Sequence, residues 1–327
     1  MTVVIIKSSK LTKFCLLFPI LIFVFYIQKG LAQQTSQLLF FKDNLIHFNP
    51  AHAGVNGSLI QIGSRSQWIG IKNAPRTNSI SYVTDTKKNV TWSYNIKMDR
   101  IFIENKNSFS IDYSYQLLLD TNKKLNLGMR VGLYSYNFNV DELVRVTDEP
   151  NEFLSAVRGY VGNIIGVGLY YSDVREKAEH FLSFSIPNVV SLKRFKAENG
   201  ITTKVTDRIH SYLVGGSKIK MGNNLLVPHF LVRQVKNAPV LYSLLLGFNF
   251  QEKFELGFGI TNNDYLSGYF TLNKTEKYNF GIGYEFPNSS AKTALRRGTV
   301  EFNLIYKLSG SENKEMIIET LNTESID

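Results

Sequence analysis

Leu125-Asn126-Leu127-Gly128-Met129-Arg130-Val131-Gly132-Leu133 sets an apolar residue at every second position, with small, polar or charged residues between them. In an extended chain successive side chains point to opposite faces, so this stretch has one apolar face and one polar face. The period returns late in the chain. Phe254, Leu256, Phe258 and Ile260 alternate with Glu255, Gly257, Gly259 and Thr261. Tyr278, Phe280, Ile282, Tyr284 and Phe286 alternate with Asn279, Gly281, Gly283 and Glu285, and Val300, Phe302, Leu304, Tyr306 and Leu308 with Glu301, Asn303 and Lys307. A soluble sandwich turns the apolar face inward. An outer-membrane barrel turns it to lipid and lines its lumen with the polar face.

The start of the chain decides between the two. Residues 1–32 read as a signal peptide: Lys7, Lys10 and Lys13 precede an apolar run from Leu16 to Ile27, and Gly30-Leu31-Ala32 supplies small residues for cleavage after Ala32. That run is too short to serve comfortably as an uncleaved membrane anchor. The only cysteine, Cys15, leaves with the leader, so the mature chain has neither a disulfide framework nor a thiolate metal site. The formal charge of +10 falls to about +6 once Lys7, Lys10, Lys13 and Lys29 are removed. This excess is spread along the chain and forms no basic patch of the kind that nucleic-acid binding requires.

The remainder reads as an all-β transmembrane antiparallel barrel of about fourteen strands over 59–308. The strands fall near 59–68, 78–84, 90–98, 107–118, 125–135, 160–172, 179–186, 208–219, 225–235, 240–250, 254–261, 265–273, 278–286 and 299–308. No later segment has the roughly twenty apolar residues of a transmembrane helix. Aromatic residues make up 13% of the chain, mostly Phe and Tyr, which suits strands and interfacial girdles. If the first strand runs outward, every second connection is periplasmic. Those connections (85–89, 119–124, 173–178, 220–224, 251–253 and 274–277) are all short, and the opposite end carries the long ones, 136–159, 187–207 and 287–298. The short connections 236–239 and 262–264 also fall at that outer end. Residues 33–58 are expected to fold in the lumen or along the periplasmic rim. Residues 309–327, polar and acidic, read as a flexible periplasmic tail.

Catalytic chemistry is hard to find. The five histidines (His47, His52, His180, His210 and His229) fall at no metal-ligand spacing. No G-x-S-x-G nucleophile turn occurs. Gly166-Val167-Gly168 sits inside a strand pattern with no helix after it, so its glycines serve curvature or close packing and not a phosphate loop. No catalytic residue, cofactor or metal site is implied. The alternation aims Arg65, Lys97, Asp112, Arg130, Glu255, Glu285 and Glu301 at the lumen. There they either pair into a network that fills the barrel or set the selectivity of a pore.

Three ordered motifs stand near the start of the barrel: Asn49-Pro50-Ala51-His52-Ala53-Gly54, then Arg65-Ser66-Gln67-Trp68, then Ala74-Pro75-Arg76-Thr77. Asp112-Tyr113-Ser114-Tyr115, Ser185-Ile186-Pro187-Asn188, and Phe230-Leu231-Val232 with Ala238-Pro239 follow. In order and spacing the chain resembles the PorP/SprF family of type IX secretion membrane proteins over about residues 36–308. It departs from the family at His52, where an aromatic residue is usual, and at Gly298-Thr299-Val300-Glu301, where a His is usual. The resemblance implies an outer-membrane protein of a Gram-negative bacterium, working with type IX secretion and gliding components. It also implies a partner, a secreted adhesin-like surface protein with a C-terminal sorting domain. The motif residues either shape the barrel or contact that partner. A passive channel or small-molecule uptake barrel is the other reading.

Overall fold

The computed structural model describes residues 38–138, 159–190, 193–198, 201–206, 208–236, 238–263, 265–273, 277–287 and 298–308. The expected leader and tail, and most of the loops expected at 136–159 and 287–298, lie outside them. A short helix α1 (Leu45–Phe48) and a 3-10 turn (Pro50–His52) precede the strands. These are β1 (Leu59–Gln67), β2 (Arg76–Val83), β3 (Val90–Ile101), β4 (Glu104–Asp120), β5 (Lys123–Phe138), β6 (Tyr160–Val174) and β7 (Ala178–Ile186). They continue with β8 (Lys193–Glu198), β9 (Ile201–Thr206), β10 (His210–Met221), β11 (Asn224–Val235), β12 (Leu241–Phe250), β13 (Phe254–Thr261), β14 (Tyr265–Asn273), β15 (Tyr278–Pro287) and β16 (Thr299–Lys307).

Fourteen of these strands form a closed antiparallel barrel in which sequence neighbours pair, and β1 closes on β16 with Leu59 opposite Lys307 and Gln67 opposite Thr299. Closure removes both sheet edges, so every strand's backbone groups face a paired neighbour, as a hydrocarbon surround demands. The odd positions of the quoted stretch, Leu127, Met129, Val131 and Leu133, are exposed on the outer surface, whereas Asn126 and Arg130 are buried inside. The sequence reading made 187–207 a long loop. The structure places a separate two-stranded hairpin there, β8 on β9, between β7 and β10. Its strands are six residues each and lack the long two-faced alternation that marked the barrel strands, so they did not stand out.

The segment before β1 lies inside the lumen. Phe40, Phe41, Leu45 and Phe48 are buried against Tyr212, Val214, Leu231, Leu241 and Leu245. Those barrel residues point inward from β10, β11 and β12, where a water-filled pore would carry polar groups. Each buried Phe or Leu of the segment contributes about 1.5–3 kcal/mol relative to exposure in a wet lumen. Gly54 adopts φ +85°, a left-handed conformation that favours glycine, and lets the chain turn past Thr91 towards β1.

Candidate functional site

The lumen-filling segment is held by groups from both sides of the barrel. On one side β16 supplies Glu301, which accepts hydrogen bonds from the backbone N–H groups of Leu39 (2.7 Å) and Phe40 (3.0 Å). Register sets Arg65 of β1 opposite Glu301. The Arg65 guanidinium donates to Glu301 at 2.9 Å and also pairs with Glu285 of β15. On the other side β4 and β5 place Asp112 opposite Arg130. Arg130 Nε reaches Asp112 Oδ1 at 2.6 Å, while its two terminal nitrogens donate to the carbonyls of Ile46 (2.5 Å) and His47 (2.8 Å), the free end of α1. Asp112 also accepts from Ser93 (3.0 Å) and Asn95 (2.9 Å), so this buried charge is fully surrounded by donors.

Between these clamps the N-P-A turn locks onto the wall. Asn49 accepts from the backbone N–H of Ala51 at 2.8 Å and donates to Leu169 O (2.8 Å) and Ser183 Oγ (2.7 Å). Pro50 has no N–H to satisfy and fits the first position of the turn. The Ala51 carbonyl accepts from Ser114 (3.3 Å) and Asn126 (3.2 Å). Gly128 and Gly168 face this turn without side chains, and a Cβ on either would overlap Ala51 or Asn49. Lys42 reaches Glu255 at 2.7 Å, and Gln61 donates to Asn44 Oδ1 at 2.8 Å.

Of the lumen residues picked from the alternation, Arg65, Glu285 and Glu301 form one cluster and Asp112 with Arg130 a second. Lys97 pairs with Asp99 at 2.8 Å, and Thr77 Oγ1 donates to Asp99 Oδ1 at 2.7 Å. The motif residues do not converge. Asn49, Pro50, Ala51 and Gly54 are in the lumen, Gln67 and Trp68 stand at the C-terminal end of β1, and Ala74 and Pro75 lie in the adjoining β1–β2 turn. There Pro75 O accepts from Gln67 N at 2.9 Å. Lys42, Gln61 and Phe40 escaped the sequence reading. Gln61 was open to discovery through the alternation of β1, but Lys42 and Phe40 sit in a segment with no period to read. Among the described residues no group of three His, Cys, Asp or Glu side chains is arranged to hold a metal ion.

His47 and His52 belong to the lumen segment. Burial, with Lys97 and Arg130 nearby, lowers His47 to about 3. Burial, with Lys218, lowers His52 to about 4, and the ring packs edge-on against Tyr170 at 5.4 Å. Asp99 acts on His47 in the opposite sense, though more weakly. The docked segment therefore prefers neutral imidazoles, and an undocked one titrates at the ordinary value near 6.5. The contribution of these two histidines to docking is complete above about pH 6.5 and weakens as pH falls from there towards 3–4, opposed by the Asp43 carboxyl of the same segment, which burial raises. Conductance of the purified barrel in a planar bilayer should rise across that window. A flat trace between pH 7 and 4 would refute the linkage.

Comparisons with known proteins agree with the barrel fold. The solved structure of the Ralstonia pickettii toluene transporter TbuX superposes with TM-score 0.50 at 11% identity, over 79% of this chain and 91% of that one. The P. putida toluene transporter TodX gives TM-score 0.50 at 7% identity, over 80% and 93%. At such identities they establish the outer-membrane barrel fold and nothing about substrate. No individually curated protein matches the chain in sequence. The family described as "Type IX secretion system membrane protein PorP/SprF" matches residues 30–306, which takes in the lumen segment and all of the barrel but its last residue, Lys307, and the chain belongs to that family.

Proposed function

We propose that this barrel is a closed docking platform of the type IX secretion and gliding apparatus. On this reading it supports export or surface attachment of an adhesin-like protein that carries a C-terminal sorting domain. The supporting observation is the filled lumen. Residues 38–54 are clamped by Glu301 on one wall and Arg130 on the other, and apolar side chains pack across the space between. A barrel whose passage is occupied by its own chain acts through its rims. Partner contact falls to the outer end, with the long loops expected at 136–159, 187–207 and 287–298. The leader is cleaved after Ala32, and intact-mass measurement of the purified protein checks that point.

The test is a clean deletion, with surface and secreted proteomes compared to the parent strain. Loss of one or a few large surface proteins, with other export intact, marks a cargo-specific partner. Collapse of all type IX cargo marks a core component. No change in either fraction refutes the platform. The alternative, a passive channel, draws on the wide cavity at the periplasmic end, and steady conductance from the wild-type barrel at neutral pH would favour it.

A further inference from the structure

A blind cup opens at the periplasmic end of the barrel. Its volume is about 740 Å³, and its roof is the lumen segment, with Lys42, Leu45 and His52 facing it. This size lies in the range of small-molecule sites, about 300–1,000 Å³. Its two walls differ in chemistry. On one, Tyr170 and Phe181 stack at 5.3 Å, and His229 packs on Phe181 at 5.5 Å. On the other, the register of β12, β13 and β14 lines up Asn249, Glu255 and Thr271, and Asn279 of β15 stands opposite Asn273.

Three basic side chains around the cup are paired, whereas the exposed Lys220, Glu252 and Lys307 also line it with no ion pair among the described residues. Lys42 pairs with Glu255 (2.7 Å), Lys218 with Glu179 (3.1 Å) and Arg175 with Asp173 (2.6 Å). Several polar atoms of the lining are left without a hydrogen bond, Asp43 Oδ2 among them although Lys42 Nζ lies 3.7 Å away. Among the described residues, Asn249 Oδ1, Thr271 Oγ1 and Asn279 Oδ1 are buried with no hydrogen-bond partner. Asn249 and Thr271 are only 8% and 3% exposed. Buried polar atoms are normally satisfied, so three orphans on one wall of one cavity ask for a ligand that brings hydroxyl or amide donors. The buried Lys42–Glu255 pair offers little to an ionic ligand, and the free charges are confined to exposed side chains. An aromatic wall opposite neutral acceptors suits a molecule with one C–H face and many hydroxyl groups.

We infer that the cup is a binding site for a neutral oligosaccharide on the periplasmic side, a role separate from docking at the outer rim. The experiment uses the full mature protein in lipid nanodiscs, which avoids maltoside detergents that would compete. Triacetylchitotriose, maltotetraose and a neutral hydrophilic peptide of similar size are titrated by calorimetry and saturation-transfer NMR. One of the two saccharides should bind, with signal transfer to its ring C–H protons. The double variant Asn249→Ala with Thr271→Val should weaken it at least tenfold, since each lost bond to a buried partner is worth about a factor of ten. Phe181→Leu, on the opposite wall, should weaken the same saccharide, and it tests the site should the double variant fail to fold. Heat-modifiable gel mobility confirms that each barrel is intact. Absence of binding by both saccharides overturns the inference. So does binding of the peptide alone, or saccharide binding that survives both variants. None of these readouts involves secreted cargo, so their failure leaves the docking platform standing.

Discussion

Replacing Arg130 with Ala should release the lumen segment and open the barrel to ions. The guanidinium holds the carbonyls of Ile46 and His47 and neutralises Asp112, which is 0% exposed. Its removal strips two acceptors of their donor and leaves a buried carboxylate with only Ser93 and Asn95. Breaking a buried pair from one side costs about 3–5 kcal/mol. Part of that strain is relieved when Ile46 and His47 leave the wall and water enters. Single-channel recording should then show steady conductance where the parent is closed, together with a lower unfolding midpoint in urea. Arg130→Lys should fall between, because one ammonium cannot reproduce the fork that spans a carboxylate and two carbonyls. The double variant Arg130→Ala with Asp112→Ala should recover part of the stability but remain conductive. A closed and fully stable Arg130→Ala barrel would mean that the segment is held by its apolar packing alone.

Gly128→Val and Gly168→Val should expel the same segment while sparing the barrel. Both glycines stand on the inward face, where the backbone of Ala51 and the Asn49 amide fill the space that a side chain would need. Overpacking costs about 1–3 kcal/mol where neighbours can yield. Here the neighbour at Gly128 is backbone, so the segment gives way as a unit. Expected readouts are new protease cleavage within 38–54, a rise in conductance and unchanged heat-modifiable mobility. Gly268→Val is the control. That residue faces outward on β14, nothing lies within 4 Å of its added Cβ, and the variant should match the parent. Resistance of 38–54 to protease in both inward variants would contradict the packing described above.

The two clamps also explain why the family motif looks dispersed. Asn49 and Pro50 are spent on locking a turn into the wall, and Arg65 on the carboxylates that bind Leu39 and Phe40. Gln67, Trp68, Ala74 and Pro75 shape the turn of the first hairpin. These motif residues therefore make two structures, a lumen wedge and a rim turn, and the segment between them is the strand β1 that carries Arg65 from one to the other.

The strands themselves were legible because a barrel wall in lipid imposes one physical rule on every residue: apolar out, polar in, period two. That rule assigned Arg65, Lys97, Asp112, Arg130, Glu255, Glu285 and Glu301 to the inner face from alternation alone; in the structure all but Lys97 are buried, and Lys97 is partly exposed. It failed where it has no purchase. The β8–β9 hairpin pairs outside the barrel sheet, so its strands carry no lipid-facing period. Residues 38–54 obey no period either, because they are held by scattered contacts to strands more than a hundred residues away in sequence, such as Asn49 to Ser183 and Phe40 to Glu301. The sequence by itself determined the closed wall, its strand order and which charges face inward, since these follow from local alternation and short connections. Tertiary structure alone decided that those charges clamp the chain's own N-terminal segment, that the lumen is filled, and that an aromatic and amide-lined cup remains below it. Those outcomes depend on which distant side chains meet, and no local pattern encodes that.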